Sequence, residues 1–318
     1  MKNFLFLILA LSAISCTLFV NQHTPKGYVR YAVYLLDRDG LYADRPEWGE
    51  KRAEVLEAAK AISSLDEAHR LVQEAADVAG GKHSFLWEPV RDTASYQEFV
   101  PEVEMLEGEI IHAILPGHTG VKVSDSLYIH KVFDYLQEHA DAKGVIVDLR
   151  NNTGGNMYPM IASISPLLPD GVVLQFKNRK QTIPVYLEYV TRSYQITEES
   201  MNKFPASTPI AVLTDKKTGS SGEATLICFL GLDNVKTFGS PTAGYPSGNV
   251  THTLSDGYLF AITRSAEIAR TGEVFCEDPI NPDVDTETPL EDAIAWIKKR
   301  LSVDRPFRPS HLGALEND

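Results

Sequence analysis

Two short, almost wholly apolar runs, residues 145–149 and 209–213, each pass directly into a glycine-bearing turn and then into an apolar helical segment. Strands of this composition are covered on both faces of a parallel sheet. The pattern therefore commits the chain to an α/β fold with right-handed crossovers. Residues 109–115 and 235–238 read as further strands, and 124–140, 156–168 and 223–230 as helices. A hairpin over 250–254 and 258–263 turns at Asp256-Gly257, and a last helix follows Thr288.

Upstream the pattern differs. Residues 28–36 read as a leading strand, and 48–79 as two helices, the second opened by a capping box of Ser64 and Glu67 and stopped by Gly80-Gly81. Lys2, the apolar run 4–11 and the small residues Ser12, Ala13 and Ser15 have the layout of an export signal. Cys16 stands where a bacterial lipoprotein is lipidated. The expected organisation is a signal at 1–16, an N-terminal helical domain with its leading strand at 17–100, and a core at 101–318. Such a chain is exported, to the periplasm or cell envelope, with Cys16 as a possible membrane tether.

Charge excludes one class of partner. A net charge of -13 repels phosphate backbones, so no nucleic-acid partner is expected. The three cysteines, Cys16, Cys228 and Cys276, form neither a disulfide framework nor a zinc-ligand pattern.

In α/β sheets the chemistry gathers at the carboxyl ends of the strands. The first turn there, 148–156, holds Gly154-Gly155, which allow close backbone approach to a ligand while the next helix start leaves N–H groups free. That is the construction of an oxyanion site. The second, 213–223, holds Gly219-Ser220-Ser221-Gly222, a serine pair at a helix start. A hydroxyl nucleophile needs exposure, N–H donors and a nearby base. Among nine histidines, His83 in the loop after Gly80-Gly81 and His252 in the hairpin are the two candidates for that base.

Taken in order, residues 37–48, Gly81-Lys82-His83-Ser84, 147–155, Ser220-Ser221-Gly222-Glu223, 239–244, the hairpin and Asn281-Pro282-Asp283 resemble the tail-specific, or C-terminal-processing, serine proteases. The resemblance covers most of the chain beyond the leader. It implies a crotonase-like (ClpP-like) core with a small N-terminal helical domain, hydrolysis of peptide bonds, and no metal or organic cofactor. It makes Ser220 the nucleophile and assigns the oxyanion hole to Ser221 with Gly154 or Gly155. Tyr245 follows Thr242-Ala243-Gly244 where one branch carries a lysine base, so the resemblance is to the tricorn-like branch, whose histidine matches His83. The supporting carboxylate is then Glu277 or Asp278.

Many relatives insert a PDZ domain after the histidine loop. Here about twenty-five residues separate His83 from the strand at Ile110, too few for an independent fold. Substrate selection then falls to the groove beside Ser220, with Thr242, Gly244, Tyr245 and Asn249 as its expected lining and a peptide or unfolded protein as partner. An α/β-hydrolase reading fails because Gly219-Ser220-Ser221-Gly222 is one residue short of Gly-x-Ser-x-Gly. The alternative of another class is a non-catalytic relative that binds peptides or apolar ligands.

Overall fold

The computed structural model describes residues 21–88 and 97–303; the leader with Cys16, and His311, lie outside the described residues. The first element is a correction. The expected strand at 28–36 is part of helix α1 (Pro25–Asp39), with Thr24 capping it and Pro25 in its first turn. Tyr28, Val29, Ala32, Val33, Leu35 and Leu36 are all buried, and their spacing follows a period of 3.6 rather than 2.

Helices α2 (Pro46–Ala58) and α3 (Leu65–Ala79) follow, and the Ser64–Glu67 capping box is present. Ala68, Ala75, Ala76 and Ala79 on the buried face of α3 let α1 pack closely against it. This helical unit shares one apolar cluster with Leu254, Phe260 and Ile262, so it is seated on the later hairpin.

The strands in chain order are β1 (Phe85–Trp87), β2 (Glu102–Leu106), β3 (Ile110–Ile114), β4 (Gly144–Asp148), β5 (Val172–Lys177) and β6 (Thr182–Tyr186). They continue with β7 (Ile210–Thr214), β8 (Val235–Gly239), β9 (Ser247–Thr253), β10 (Leu259–Ile268), β11 (Val274–Phe275) and β12 (Val284–Asp285). The remaining helices are α4 (Asp125–Glu138), α5 (Met157–Ser163), α6 (Leu187–Ser193), α7 (Ser221–Ile227) and α8 (Pro289–Val303). The sequence reading leaves β5, β6 and α6 unassigned.

One sheet has the order β12-β8-β7-β4-β3-β2, parallel except for β2. Every residue of β4 and β7 is buried. Val145, Val147 and Val212 pack with α4, α5 and α7, while Ile146, Ala211 and Leu213 pack with Ala293 and Ile297 of α8. Helices on both faces explain why these strands are apolar throughout. The pairing of Asp148 with Leu213 sets the carboxyl ends of β4 and β7 side by side, and with them the two glycine-bearing turns.

The second sheet is antiparallel and built around β10. β1 and β5 pair with one edge of β10, β9 and β11 with the other, and β6 lies beyond β5. A bulge in β10 between Thr263 and Ser265 shifts its register against β9. The two sheets with their helices make a mixed α/β fold.

Candidate active site

The two glycine-bearing turns touch. A Cβ on Gly154 would stand 2.8 Å from the Ser220 Cβ and 3.2 Å from the Ser221 nitrogen, so only glycine permits this approach. Asn152, fully buried, ties the turns together. Its carbonyl accepts from the Gly219 N–H at 2.9 Å, its Oδ1 accepts from the Gly154 N–H at 3.0 Å, and its Nδ2 donates to the Leu115 carbonyl at 2.9 Å. The Ser221 hydroxyl donates to the Gly155 carbonyl at 2.6 Å.

This arrangement separates the two glycines. The Gly154 N–H is committed to Asn152. Gly155 lies in a bridge to His118 made by the neighbouring groups, His118 N–H to Gly154 carbonyl and Asn156 N–H to His118 carbonyl. The Gly155 N–H takes part in neither bond. Ser221 is the first residue of α7, where helical geometry leaves the N–H without an intrahelical partner. Ser221 and Gly155, whose N–H groups lie outside these bonds, both line the cleft beside Ser220.

Ser220 has φ +52° and ψ -117°, a conformation rare outside glycine, and such backbone persists only where its surroundings hold it. The holding group is Glu223. Its buried carboxylate accepts from the Ser220 N–H at 2.9 Å, the Gly244 N–H at 2.9 Å, the Tyr245 N–H at 2.8 Å and the Thr242 hydroxyl. Burial pushes this carboxyl above its ordinary range, and the four donors pull it back toward the charged form. Thr242 and Gly244, expected in the groove, thus brace the serine turn from below: Thr242 is 4% exposed, and neither lines a cleft found beside Ser220.

His83, carried by the segment between α3 and β1, lines the same clefts as Ser220. It is 7% exposed, and its Nδ1 lies 2.8 Å from the Ser247 hydroxyl. That contact leaves Nε2 as the nitrogen available for proton transfer. The ring stands against Tyr245 and Phe85, with centroid distances of 5.1 and 6.2 Å. Asn249 donates to the His83 carbonyl at 2.8 Å. The rival, His252, lies elsewhere, with its Nε2 3.1 Å from Asp39.

Burial, with the charge of Lys82 beside it, lowers the His83 pKa from 6.5 to about 4. The ring is therefore unprotonated down to about that pH. Folding then leaves fewer protons on this group than the unfolded chain binds between pH 6.5 and 4. The associated stability is complete above 6.5 and is lost as pH falls through about 4, at about 3 kcal/mol in all. Denaturant titrations across this range, beside His83→Gln, are expected to show the loss only in the unsubstituted protein. Lys82→Met should move the midpoint of the loss to higher pH.

Two clefts meet at this point. The larger, about 580 Å³, lies between the two turns and the antiparallel sheet; the smaller, about 360 Å³, lies between Lys82, Lys217, Ala243 and Tyr245. Ser220, His83, Thr153 and Phe85 line both. Tyr245 lines the smaller cleft and Asn249 the larger. Glu277 accepts from the Lys82 N–H at 2.9 Å and so holds the loop that carries His83. Ser247, which sequence reasoning missed, is the group on the ring nitrogen. No local signal marks it, since it stands 164 residues from His83 along the chain.

A serine on a strained strand-to-helix turn, N–H donors beside it and a buried neutral histidine across the same cleft together make the architecture of a serine hydrolase. Comparison with known proteins narrows the class. Residues 121–286 match the model of peptidase family S41. The nisin-resistance protein of Lactococcus lactis subsp. lactis is 37% identical over 283 residues, covering 87% of this chain and 88% of that protein. The chain belongs to peptidase family S41, the family of the tail-specific and C-terminal-processing proteases.

Among solved structures, a lipoprotein from Streptococcus agalactiae superposes with a TM-score of 0.78 at 33% identity, covering 87% of this chain and 97% of that one. The photosystem II D1 C-terminal processing protease shares the fold at a TM-score of 0.54 and 12% identity, over 83% of this chain and 93% of its own. Among the described residues no helix is long and apolar enough to cross a membrane.

Proposed function

We propose that this protein is a serine endopeptidase that cleaves peptides or unfolded proteins at the cell envelope, with Ser220 as nucleophile and His83 as base. The observation that carries the reading is the position of these two residues where the clefts join, so that a chain lying through both would present a peptide bond to Ser220. His83 Nε2 takes the Ser220 proton as Oγ bonds to the carbonyl carbon. The Ser221 and Gly155 N–H groups stabilise the oxyanion, and the leaving amine takes the proton from His83. Water, deprotonated by the same nitrogen, then hydrolyses the acyl-enzyme.

In this mechanism Ser247 orients the imidazole, and Glu277 supports it indirectly through the loop at Lys82. Among the described residues β9 pairs only with β10, and Ser247 to Thr251 line the larger cleft, so the outer edge of β9 offers main-chain groups to an extended substrate. The architecture proposed with it is a crotonase-like core over 101–318 and a helical unit over 17–100, tethered through a lipidated Cys16. The likeness to a streptococcal lipoprotein supports the tether.

The name of the lactococcal relative makes nisin one peptide to try. Purified protein is incubated with nisin and with an unfolded protein, and products are read by mass spectrometry. New termini from either substrate are the expected result. Intact substrates throughout would sink the peptidase reading and favour a relative that only binds.

A further inference from the structure

The larger cleft holds an ionisable side chain that the mechanism does not use. Glu267 on β10 lines it, is 2% exposed, and has its Oε2 buried without a hydrogen-bond partner among the described residues. Its register partners on either side are Phe176 of β5 and Phe275 of β11, so aromatic groups rather than donors flank it. Burial and the nearby Glu223 carboxylate hold its acid well above the usual range. Buried carboxyls nearly always have partners, and one left without a partner at the wall of a cleft points to a ligand that supplies it.

The cleft wall beside it is closely packed and partly apolar. A Cβ on Gly248 would stand 2.6 Å from the Ser265 hydroxyl and 2.8 Å from the Phe176 ring, so glycine there is what lets β9 pack this closely against them. Phe176, Met157 and Ala224 line the same cleft as the carboxyl and make part of its wall apolar. An aliphatic stem would lie along Phe176, with its polar end at Glu267. A cation is favoured over a neutral donor because it would also offset the repulsion that the nearby Glu223 carboxylate exerts on Glu267. Arg264, also lining the cleft, has a side chain 55% exposed at the rim, 3.8 Å from Asp39.

We propose that Glu267 closes a side-chain subsite of the larger cleft and receives a lysine or arginine of the substrate. The proposal rests on the peptidase reading for the identity of the ligand as a peptide, and binding separates the two. Ser220→Ala protein is titrated with fluorescein-labelled alanine peptides carrying one lysine, one glutamine or one norleucine, followed by anisotropy. The alanine host lets the single side chain find its subsite in any register.

The lysine peptide is expected to bind about tenfold tighter than the norleucine peptide. Adding Glu267→Gln should bring that ratio near one, and Glu267→Leu should reverse it. Glu267→Gln changes no volume and decides the matter even where the leucine variant fails to fold. An unchanged ratio in the glutamine variant, equal binding of lysine and glutamine peptides, or no binding of any peptide would each overturn the subsite. Lysine preference in binding, with no cleavage by the unsubstituted protein, would uphold the subsite and sink the peptidase reading. Cleavage without preference would do the reverse.

Discussion

Ser220→Ala is expected to lower peptide hydrolysis by at least about a thousandfold while leaving the fold intact. The size follows from the role: without Oγ there is no acyl-enzyme, and only the N–H donors and the clefts remain to act on a water. The fold should survive because the bonds that hold this turn belong to the backbone and to Glu223. Ser220 N–H, Gly219 N–H and Ala224 N–H keep their partners in the variant. The strained φ of +52° remains a cost with alanine as with serine. Initial rates on a cleaved substrate, beside thermal melts of both proteins, check the two halves together. A variant that keeps a tenth of the activity would remove Ser220 from the chemistry.

Glu223→Gln is expected to damage both stability and activity, by about 3 kcal/mol and at least about a hundredfold. The glutamate is fully buried and accepts four hydrogen bonds, three of them from backbone N–H groups of two different segments. An amide has one oxygen, and its NH2 would face N–H donors that now meet a carboxylate. At least one buried donor is left unpaired. The segment that suffers is either the Ser220 turn or the 242–245 stretch that places Tyr245 against His83. Denaturant midpoints and kcat together test this. A variant with unchanged midpoint would mean that water replaces the carboxylate, and the bracing role of Glu223 would be wrong.

The residues that make the site differ in how legible they were. Gly154-Gly155 and Gly219-Ser220-Ser221-Gly222 announce themselves, because positive φ and helix starts are local requirements that a few adjacent residues satisfy or fail. Glu223 was legible as a neighbour of the serine, but its partners at 242–245 were not. Residues 28–36 misled because aromatic and β-branched side chains suit strands; the helical spacing of the buried set was the better guide. Thr242 and Gly244 sit beside the cleft-lining Ala243 and Tyr245 in the chain, yet bond to Glu223 instead.

Local order was therefore written in the sequence: the α/β alternation, the capped helix α3, the hairpin, and the two turns that carry donors and a hydroxyl. Periodicity, caps and turn chemistry act over a few residues, so they can be read along the chain. Only the tertiary structure decided that the Ser247 hydroxyl meets His83, that the Gly154 N–H is spent on Asn152, and that Glu267 Oε2 is buried without a hydrogen-bond partner among the described residues. These outcomes depend on strand order and register, which join residues far apart in the chain. No local preference specifies which distant groups come within hydrogen-bonding distance.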